Sequence, residues 1–288
     1  MTICALDLHG FGVTTNCPAA PLQAMGADHE TLKTSPAKTT VRELVFEGVN
    51  KLPAIAMEEI ASAAKNVVYD HDPDWLADLS ERVRNSWREY GYFDVCVTAR
   101  SVPISTHSDS IDVAVSMHVD EGEQYRLGDI SFVNAKQYSV DSLRSLFSLN
   151  TNDIFNPRLV QQGLDKLRQR YGSQGFINFT AVPEIATDKQ QRLIFLMIDV
   201  SEGPQFHIAE IAIKEDDHGL INKALHESKI EMGEVFSTER WEKFRNKVKS
   251  LLPSVDPEDL VSYHVDADTA TVSLAIDGTA LKSRFNIP

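Results

Sequence analysis

The sequence predicts an α+β fold, namely a tandem array of three small β-α-α-β-β modules. Each module is predicted to be a three-stranded mixed sheet covered on one face by two helices. The first observation behind this prediction is that the ten residues 121–130 recur in similar form, 81 positions later, at residues 202–211. A fixed period of this length is typical of a chain built from repeated modules. The second observation is that the spacing of hydrophobic residues indicates the same series of elements in each module, namely strand, helix, helix, strand and strand.

The middle module shows this order most clearly. Ser139 is predicted to cap a short helix. Asn156 and Pro157 are predicted to begin a longer helix, since Asn binds free N–H groups and Pro lacks the N–H that would go unpaired. The inward stripe of this longer helix consists of Val160, Leu164, Leu167 and Tyr171. The strands are predicted at residues 125–133, 176–182 and 193–198.

The outer modules repeat the order with local changes. In the third module, Ser237 is expected to cap the second helix and Pro253 to shorten it, because proline breaks a helix interior. In the first module, a helix is predicted from residue 54 to about residue 65, with Ile55 and Ile60 in the core. The strands are predicted at residues 41–46, 93–99 and 111–119 in the first module and at residues 206–213, 261–265 and 271–276 in the third.

The third strand of each module is the most continuously apolar, above all at residues 193–198. Such a run is typical of a strand with neighbours on both sides, so the third strand is predicted to be central and the first and second strands to be edges. The predicted boundaries are a flexible leader at residues 1–40, modules at 41–122, 123–203 and 204–280, the last of them diverged, and a tail at 281–288.

The composition indicates a folded protein that does not bind nucleic acid. A net charge of −14 and a pI near 5.0 disfavour contact with phosphate backbones. No run approaches the roughly 18 apolar residues of a membrane helix. The first residues do not resemble a signal peptide, so we expect either a cytoplasmic protein or a chain whose true start is missing or already removed. A disulfide between Cys4 and Cys17 within the leader is one possibility. All three cysteines, Cys96 included, are nevertheless predicted to be incidental, that is, without a structural or functional role.

No catalytic or metal-binding set is predicted. Asp70, His71 and Asp72 are consecutive, and consecutive loop residues rarely converge on one ion. His218 and His226 lie apart from each other without a metalloprotease pattern. We therefore predict no catalytic residues, no metal site, no cofactor and no enzymatic activity.

Three kinds of phrase recur with the modules. They are the Glu-Gly endings at residues 121–122 and 202–203, the glycine-acid-x-aromatic link at residues 232–236, and the helix ending at residues 171–176. In this joint order they resemble the phrases of POTRA (polypeptide-transport-associated) domains, over residues 41–279. Asn152 stands where the link glycine of the family would lie in the middle module.

This resemblance implies a compartment and partners. POTRA arrays lie in the periplasm ahead of an outer-membrane β-barrel and receive unfolded outer-membrane or secreted polypeptides. From the resemblance we expect a periplasmic protein associated with the outer membrane, with such polypeptides as partners. A β-barrel would be a further partner or a part missing from this chain. The alternative, from another class, is a soluble scaffold that binds one folded partner.

The predicted mechanism is strand addition, in which an extended client segment pairs with free backbone groups at a sheet edge. The second strand of each module is favoured as the open edge. Within the sheet it is joined along the chain only to the third strand, so its outer side should be free to pair. The alternative is that loops or neighbouring modules cap these edges. The candidate edge residues are Phe93, Val95, Val97, Phe176, Asn178, Thr180, Val261 and Tyr263.

The predicted module junctions form a second set of candidate residues. They are Glu121, Gly122, Glu202 and Gly203. In each pair the glycine is expected to permit an unusual backbone angle, and the glutamate to bond across the hinge.

Overall fold

A computed structural model describes residues 38–48, 51–65, 67–70, 74–214, 219–251, 256–277 and 279. The elements of the first module are β1 (Lys38–Glu47), α1 (Ala54–Ala64), β2 (Val68–Asp70), α2 (Trp75–Glu89), β3 (Cys96–Thr106) and β4 (Ser110–Asp120). Those of the second are β5 (Arg126–Val133), α3 (Val140–Arg144), α4 (Pro157–Ser173), β6 (Thr180–Asp188) and β7 (Leu193–Ser201). Those of the third are β8 (His207–Lys214), α5 (Leu220–Glu227), α6 (Thr238–Leu251), α7 (Pro257–Leu260), β9 (Val261–Asp266) and β10 (Thr271–Asp277).

Within these residues the strands form three sheets, so the predicted α+β architecture is confirmed. The strand orders are β2-β1-β4-β3, β5-β7-β6 and β8-β10-β9. The third predicted strand of each module, now β4, β7 or β10, lies between two others, which confirms its central position. In the first and third sheets this strand runs parallel to β1 or β8 and antiparallel to β3 or β9, so these sheets are mixed.

The first sheet has a strand that the sequence did not predict. β2 pairs antiparallel with the first three residues of β1, from Lys38 opposite Asp70 to Thr40 opposite Val68. β1 is therefore flanked on both sides, and the prediction that every first strand is an edge is wrong for this sheet. A three-residue strand is too short to show the alternation from which strands are recognised.

Local signals determine where the long helices begin. Before α4, Asn156 Oδ1 accepts hydrogen bonds from the backbone N–H groups of Arg158 at 2.9 Å and Leu159 at 3.2 Å. Before α6, Ser237 Oγ accepts from the N–H of Arg240 at 3.3 Å. Both predicted caps are confirmed. α6 has 14 residues against 17 in α4, which agrees with the predicted shortening.

In the first and third modules, helix stripes pack on the sheet to form a buried core. In the first module, Leu79, Val83 and Trp87 of α2 share a buried cluster with alternate residues of β4. Burying one such side chain contributes about 1.5–3 kcal/mol. Ile55 is 70% exposed, so its predicted place in the core is wrong. The inward face of α1 follows Ala56, Ile60 and Ala64 at a spacing of four, which leaves Ile55 to one side.

Two edge strands begin later than predicted. β3 starts at Cys96 and β6 at Thr180, whereas the predictions started at residues 93 and 176. Phe93, Val95 and Phe176 are buried in the turns that follow α2 and α4. An apolar run packed in a turn has the composition of a buried strand, so periodicity alone cannot separate them.

The chain divides into two units. One comprises Met1–Asp129, Leu149–Val160 and Ile185–Leu196, and the other comprises Ile130–Ser148, Gln161–Glu184 and Met197–Pro288. The first sheet lies in the first unit and the third sheet in the second. The module boundaries stay a prediction.

Several sequence predictions concern residues outside the described part of the chain. They are residues 1–37 of the leader with Cys4 and Cys17, then His71, Asp72, His218, Pro253 and residues 280–288. Cys96, at the start of β3, is disulfide-bonded, so the prediction that it is incidental is wrong.

Candidate functional site

The strands β3, β6 and β9 lie at the edges of their sheets. Within the described residues each has one neighbouring strand, which is β4, β7 or β10 respectively. The backbone groups on the other side of an edge strand face away from the sheet and can pair with an added chain. These are the strands that the sequence predicts as open edges.

The first strands of the second and third sheets are covered along their first residues. Leu127 of β5 exchanges backbone hydrogen bonds with Asp153 at 2.9 Å and Asn152 at 2.8 Å, both in the link before α4. The same pair of bonds joins Ile208 of β8 to the link before α6 at 2.8 and 2.7 Å. In the first sheet β2 takes this place. The two sides of each sheet therefore differ in how far their backbone groups are already paired.

The links depend on one left-handed residue. Asn152 has φ 70° in the link of the second module, and Gly233 has φ 83° at the corresponding position in the third. Glycine adopts this conformation without a steric penalty, and asparagine is among the few other residues that tolerate it. The replacement of the link glycine by Asn152 therefore preserves the geometry.

Pro103 shows which backbone groups of β3 face the open side. It lies opposite Val113 of β4, and its nitrogen carries no hydrogen, so this position faces away from β4. Backbone direction alternates along a strand. The N–H groups of Val97, Ala99 and Ser101 therefore lie on the open side, and the row of donors stops at Pro103.

Pro183 interrupts β6 in the same way. Its nitrogen also belongs on the side away from the neighbouring strand, so the N–H groups of Ala181 and Ile185 flank a gap in the open edge. Proline within an edge strand is one of the devices that limit unwanted pairing.

The edge strand β9 contains no proline. His207 donates its backbone N–H to the residue before Thr271 at 3.1 Å, so the backbone groups of Thr271 face β9. Thr271 pairs with Asp266, and alternation then turns the N–H groups of Val265 and Val261 outward.

The structure places the predicted edge residues in two kinds of position. Those within edge strands are Val97, Thr180, Val261 and Tyr263. Those in the turns before the strands are Phe93, Val95, Phe176 and Asn178. Val97 and Val261 have buried side chains and offer only their backbone to a partner, whereas Asn178 and Thr180 are exposed.

The junction glutamates bond within their own modules. Glu121 is 3% exposed, and its carboxylate accepts hydrogen bonds from the backbone N–H groups of Lys51 at 2.9 Å and Leu52 at 3.3 Å. It also accepts from the indole N–H of Trp87 at 3.2 Å. This glutamate therefore ties the loop after β1 to the last turn of α2, rather than bonding across the hinge as the sequence suggested.

Glu202 repeats this arrangement in the second module. Its carboxylate accepts from the backbone N–H groups of Lys136 at 2.8 Å and Gln137 at 2.9 Å, and from the hydroxyl of Tyr171 at 3.0 Å. Burial opposes ionisation, but these three hydrogen bonds outweigh it and hold the pKa of Glu202 below its usual value.

The junction glycines have the predicted unusual backbone angle. Gly122 has φ 65° and Gly203 has φ 67°. Two further junction contacts, each within one unit, were not predicted. Tyr125 donates its backbone N–H to the carbonyl of Gly91 at 2.8 Å, and Phe206 donates to Gly175 at 2.9 Å. The signal was present in the sequence, since a glutamine–aromatic pair recurs at residues 124–125 and 205–206.

A pocket on the third sheet gives no support to an enzymatic role. Its lining includes Lys214 and Asp277, which form an ion pair of 3.0 Å. Hydrogen bonds from the Thr279 hydroxyl and backbone, together with Lys214, lower the pKa of Asp277 to about 2. A carboxylate held so firmly in its ionised form is unsuited to proton transfer near neutral pH.

Two other kinds of site are absent from the described residues. No group of three or more His, Cys, Asp or Glu side chains there is arranged to hold a metal ion. None of the helices in the described ranges combines the length and apolar character needed to cross a lipid bilayer.

Comparison with known proteins gives a consistent result. The family model POTRA, described as "Surface antigen variable number repeat", matches residues 125–203. An outer membrane protein assembly factor of Treponema pallidum (strain Nichols) is 27% identical over 208 residues, which cover 67% of this chain and 25% of that protein. Outer membrane protein assembly factor BamA of Neisseria meningitidis serogroup B is 23% identical over 230 residues, covering 73% of this chain and 28% of that protein. The chain thus spans about a quarter of the length of these relatives.

A solved structure shares the fold. The crystal structure of POTRA domains 3–5 of BamA from Haemophilus influenzae superposes with a TM-score of 0.60 at 14% identity, covering 83% of this chain and 96% of that one. The resemblance to POTRA domains predicted from the sequence is confirmed. These two relatives are named as assembly factors, in agreement with the prediction of a non-enzymatic chain.

Proposed function

We propose that this POTRA-domain chain binds unfolded outer-membrane or secreted polypeptides at the outer edges of β3, β6 and β9. In this proposal it acts in the periplasm, beside the outer membrane, in protein assembly or translocation. Support comes from relatives that are named as outer membrane protein assembly factors and match this chain over about a quarter of their length.

One observation carries the choice of edges. The first residues of β1, β5 and β8 are already paired on their outer side, by β2 or by a link, whereas β3, β6 and β9 each have one neighbouring strand in the described sheets. Because pairing through the backbone does not depend on side-chain identity, these edges suit clients of varied sequence.

The proposed binding is weak and reversible. Each net hydrogen bond contributes about 1 kcal/mol, and Pro103 and Pro183 limit the number of consecutive bonds on β3 and β6. A client therefore gains only a few bonds at each edge. Several edges in one chain raise the overall affinity for a long client, because once one segment is bound, the binding of further segments is intramolecular.

Removal of outward N–H groups tests the proposal. A chain with Ala99→Pro, Ile185→Pro and Val265→Pro loses one donor on each edge without losing a bond to the neighbouring strand. We expect its affinity for an unfolded outer-membrane polypeptide to fall at least tenfold in a fluorescence binding assay. The matched control is Arg100→Ala, Glu184→Ala and His264→Ala, which changes the adjacent inward-facing positions and keeps every outer donor.

Photo-crosslinking locates the client directly. A photoreactive amino acid at Thr180, the exposed first residue of β6, is expected to capture the client, and one at Gln161 on α4 to capture little. Crosslinks from α4 alone, or equal binding by the proline variant in its folded form, would show that the edges are not the binding sites.

A further inference from the structure

The two module junctions share one framework. In each, the aromatic residue immediately before the new strand, Tyr125 or Phe206, donates its backbone N–H to a glycine carbonyl of the preceding module. In each, a β-branched side chain packs against that glycine: Ile154 contacts Gly91, and Val235 contacts Gly175. An added Cβ would lie 2.6 Å from that side chain at either glycine. The framework therefore requires close backbone approach at both junctions.

The first junction has an additional set of polar contacts. The hydroxyl of Tyr125 donates to Asp94 Oδ2 at 2.8 Å. Arg158 lies 3.3 Å from the carboxylate of Glu89, and the side-chain amide of Asn156 donates to the backbone carbonyl of Glu89 at 2.9 Å. Each of these contacts joins the end of α2 or the turn after it to the next module.

Glu123, between the modules, forms one ion pair with each of them. Its carboxylate lies 4.0 Å from Lys51 in the first module and 3.1 Å from Arg192 in the second. We call the contacts of Glu89, Asp94 and Glu123 across this junction the polar clamp.

The second junction lacks the residues of the polar clamp at the matching positions. When the two junctions are aligned at Gly91 and Gly175, the counterparts of Glu89 and Asp94 are Ser173 and Asn178. When they are aligned at the repeated phrase, the counterparts of Glu123, Tyr125 and Arg158 are Pro204, Phe206 and Glu239. Within the described residues, no ion pair joins the second and third modules. The second junction therefore has the same framework as the first but not its charged partners.

From this contrast we infer that the first junction is a locked joint and that the second junction is the pivot of the array. The inference does not depend on the proposed client binding. The Tyr125–Asp94 hydrogen bond is the strongest contact of the lock, because Tyr125 is 2% exposed and the bond is partly buried, although the Asp94 side chain is 31% exposed. The ion pairs of Glu89 and Glu123 are largely exposed, so salt screens them and each contributes little alone.

Distance measurements between spin labels test this inference on the full chain. One pair of labels at Ser62 and Ala186 spans the first junction, and another at Gln162 and Asn246 spans the second; all four positions are exposed. The labels are attached to a ketone-bearing unnatural amino acid, so that the native cysteines stay intact. We expect a narrow distance distribution across the first junction and one at least twice as wide across the second.

Reciprocal exchange of the junction residues provides the decisive variants. Asp94→Asn with Tyr125→Phe copies the second junction into the first and is expected to broaden the first distribution. Asn178→Asp with Phe206→Tyr is expected to narrow the second. Tyr69→Phe, which removes a tyrosine hydroxyl bonded to Arg82 inside the first module, should change neither distribution.

The outcomes separate cleanly. Equal widths in the unmodified chain, or a first distribution unchanged by the Asp94 and Tyr125 exchange, would overturn the inference. Tyr125→Phe alone removes one oxygen and retains the buried ring. If the double variant does not fold, this single variant must still broaden the first distribution.

Discussion

The hydroxyl of Tyr171 donates a hydrogen bond to the carboxylate of Glu202 across 3.0 Å and so joins the last turn of α4 to the end of β7. Its ring stacks on Phe179, with centroids 4.1 Å apart. Burial, followed by this hydrogen bond to a charged acceptor, raises the pKa of Tyr171. The phenol therefore stays protonated and keeps its role as a donor throughout the neutral range.

Tyr171→Phe should lower the free energy of unfolding by about 1–3 kcal/mol, because the lost hydrogen bond has a charged acceptor. Urea denaturation measures this change. Tyr138→Phe is the control, since no hydrogen bond to its hydroxyl occurs within the described residues and its ring would be retained. Equal effects of the two changes would contradict the importance of the Tyr171–Glu202 bond.

Glu202→Gln should make stability less dependent on acid pH. The pKa of Glu202 is lowered in the folded chain, so its contribution is complete above the unfolded pKa of about 4.3 and is lost as the pH falls through the folded value. The difference in free energy of unfolding between the unmodified chain and the variant should be largest at pH 7 and should shrink below about pH 4. Urea denaturation at several pH values measures it, with the exposed Glu184→Gln as the control. A difference that grows on acidification would rule out this account.

Gly91→Ala should destabilise the first junction by about 2–5 kcal/mol. Its φ of +85° strains any residue with a Cβ, and the new atom would lie 2.6 Å from Ile154. Gly219→Ala separates the two causes, because Gly219 has φ +63° but open space around it. Its cost should be only about 1–2 kcal/mol, from strain alone. Thermal and urea unfolding compare the two, and similar costs would mean that the close packing at Gly91 is unimportant.

Pro183→Thr should strengthen client binding, on the proposed function, because it restores a donor in the middle of the β6 edge. One added hydrogen bond of about 1 kcal/mol corresponds to roughly a fivefold gain in affinity. Ala186→Thr in the same strand is the control, since it adds the same side chain and leaves the backbone donors unchanged. A gain in both variants would assign the effect to the threonine side chain instead.

The parts of the fold that sequence analysis predicted correctly depend on neighbours along the chain. Asn156 and Ser237 cap helices through N–H groups two or three residues away, so their sequence context is sufficient. β2 and the start of β3 were missed because a three-residue pairing and a buried turn are determined by tertiary contacts. The Tyr125–Asp94 bond links positions 31 apart, and no periodic pattern indicates such a pair.

The hydrogen bond from Tyr125 to the carbonyl of Gly91, and its counterpart from Phe206 to Gly175, have a consequence for dissecting the chain. The residues that join successive modules are docked on the preceding helix end, and a protease must pull them free before it can cleave. Limited digestion should therefore release connected modules rather than single ones. A fragment cut between Gly122 and Tyr125 would expose the packing surface around Gly91 and aggregate more readily than a fragment that keeps both modules.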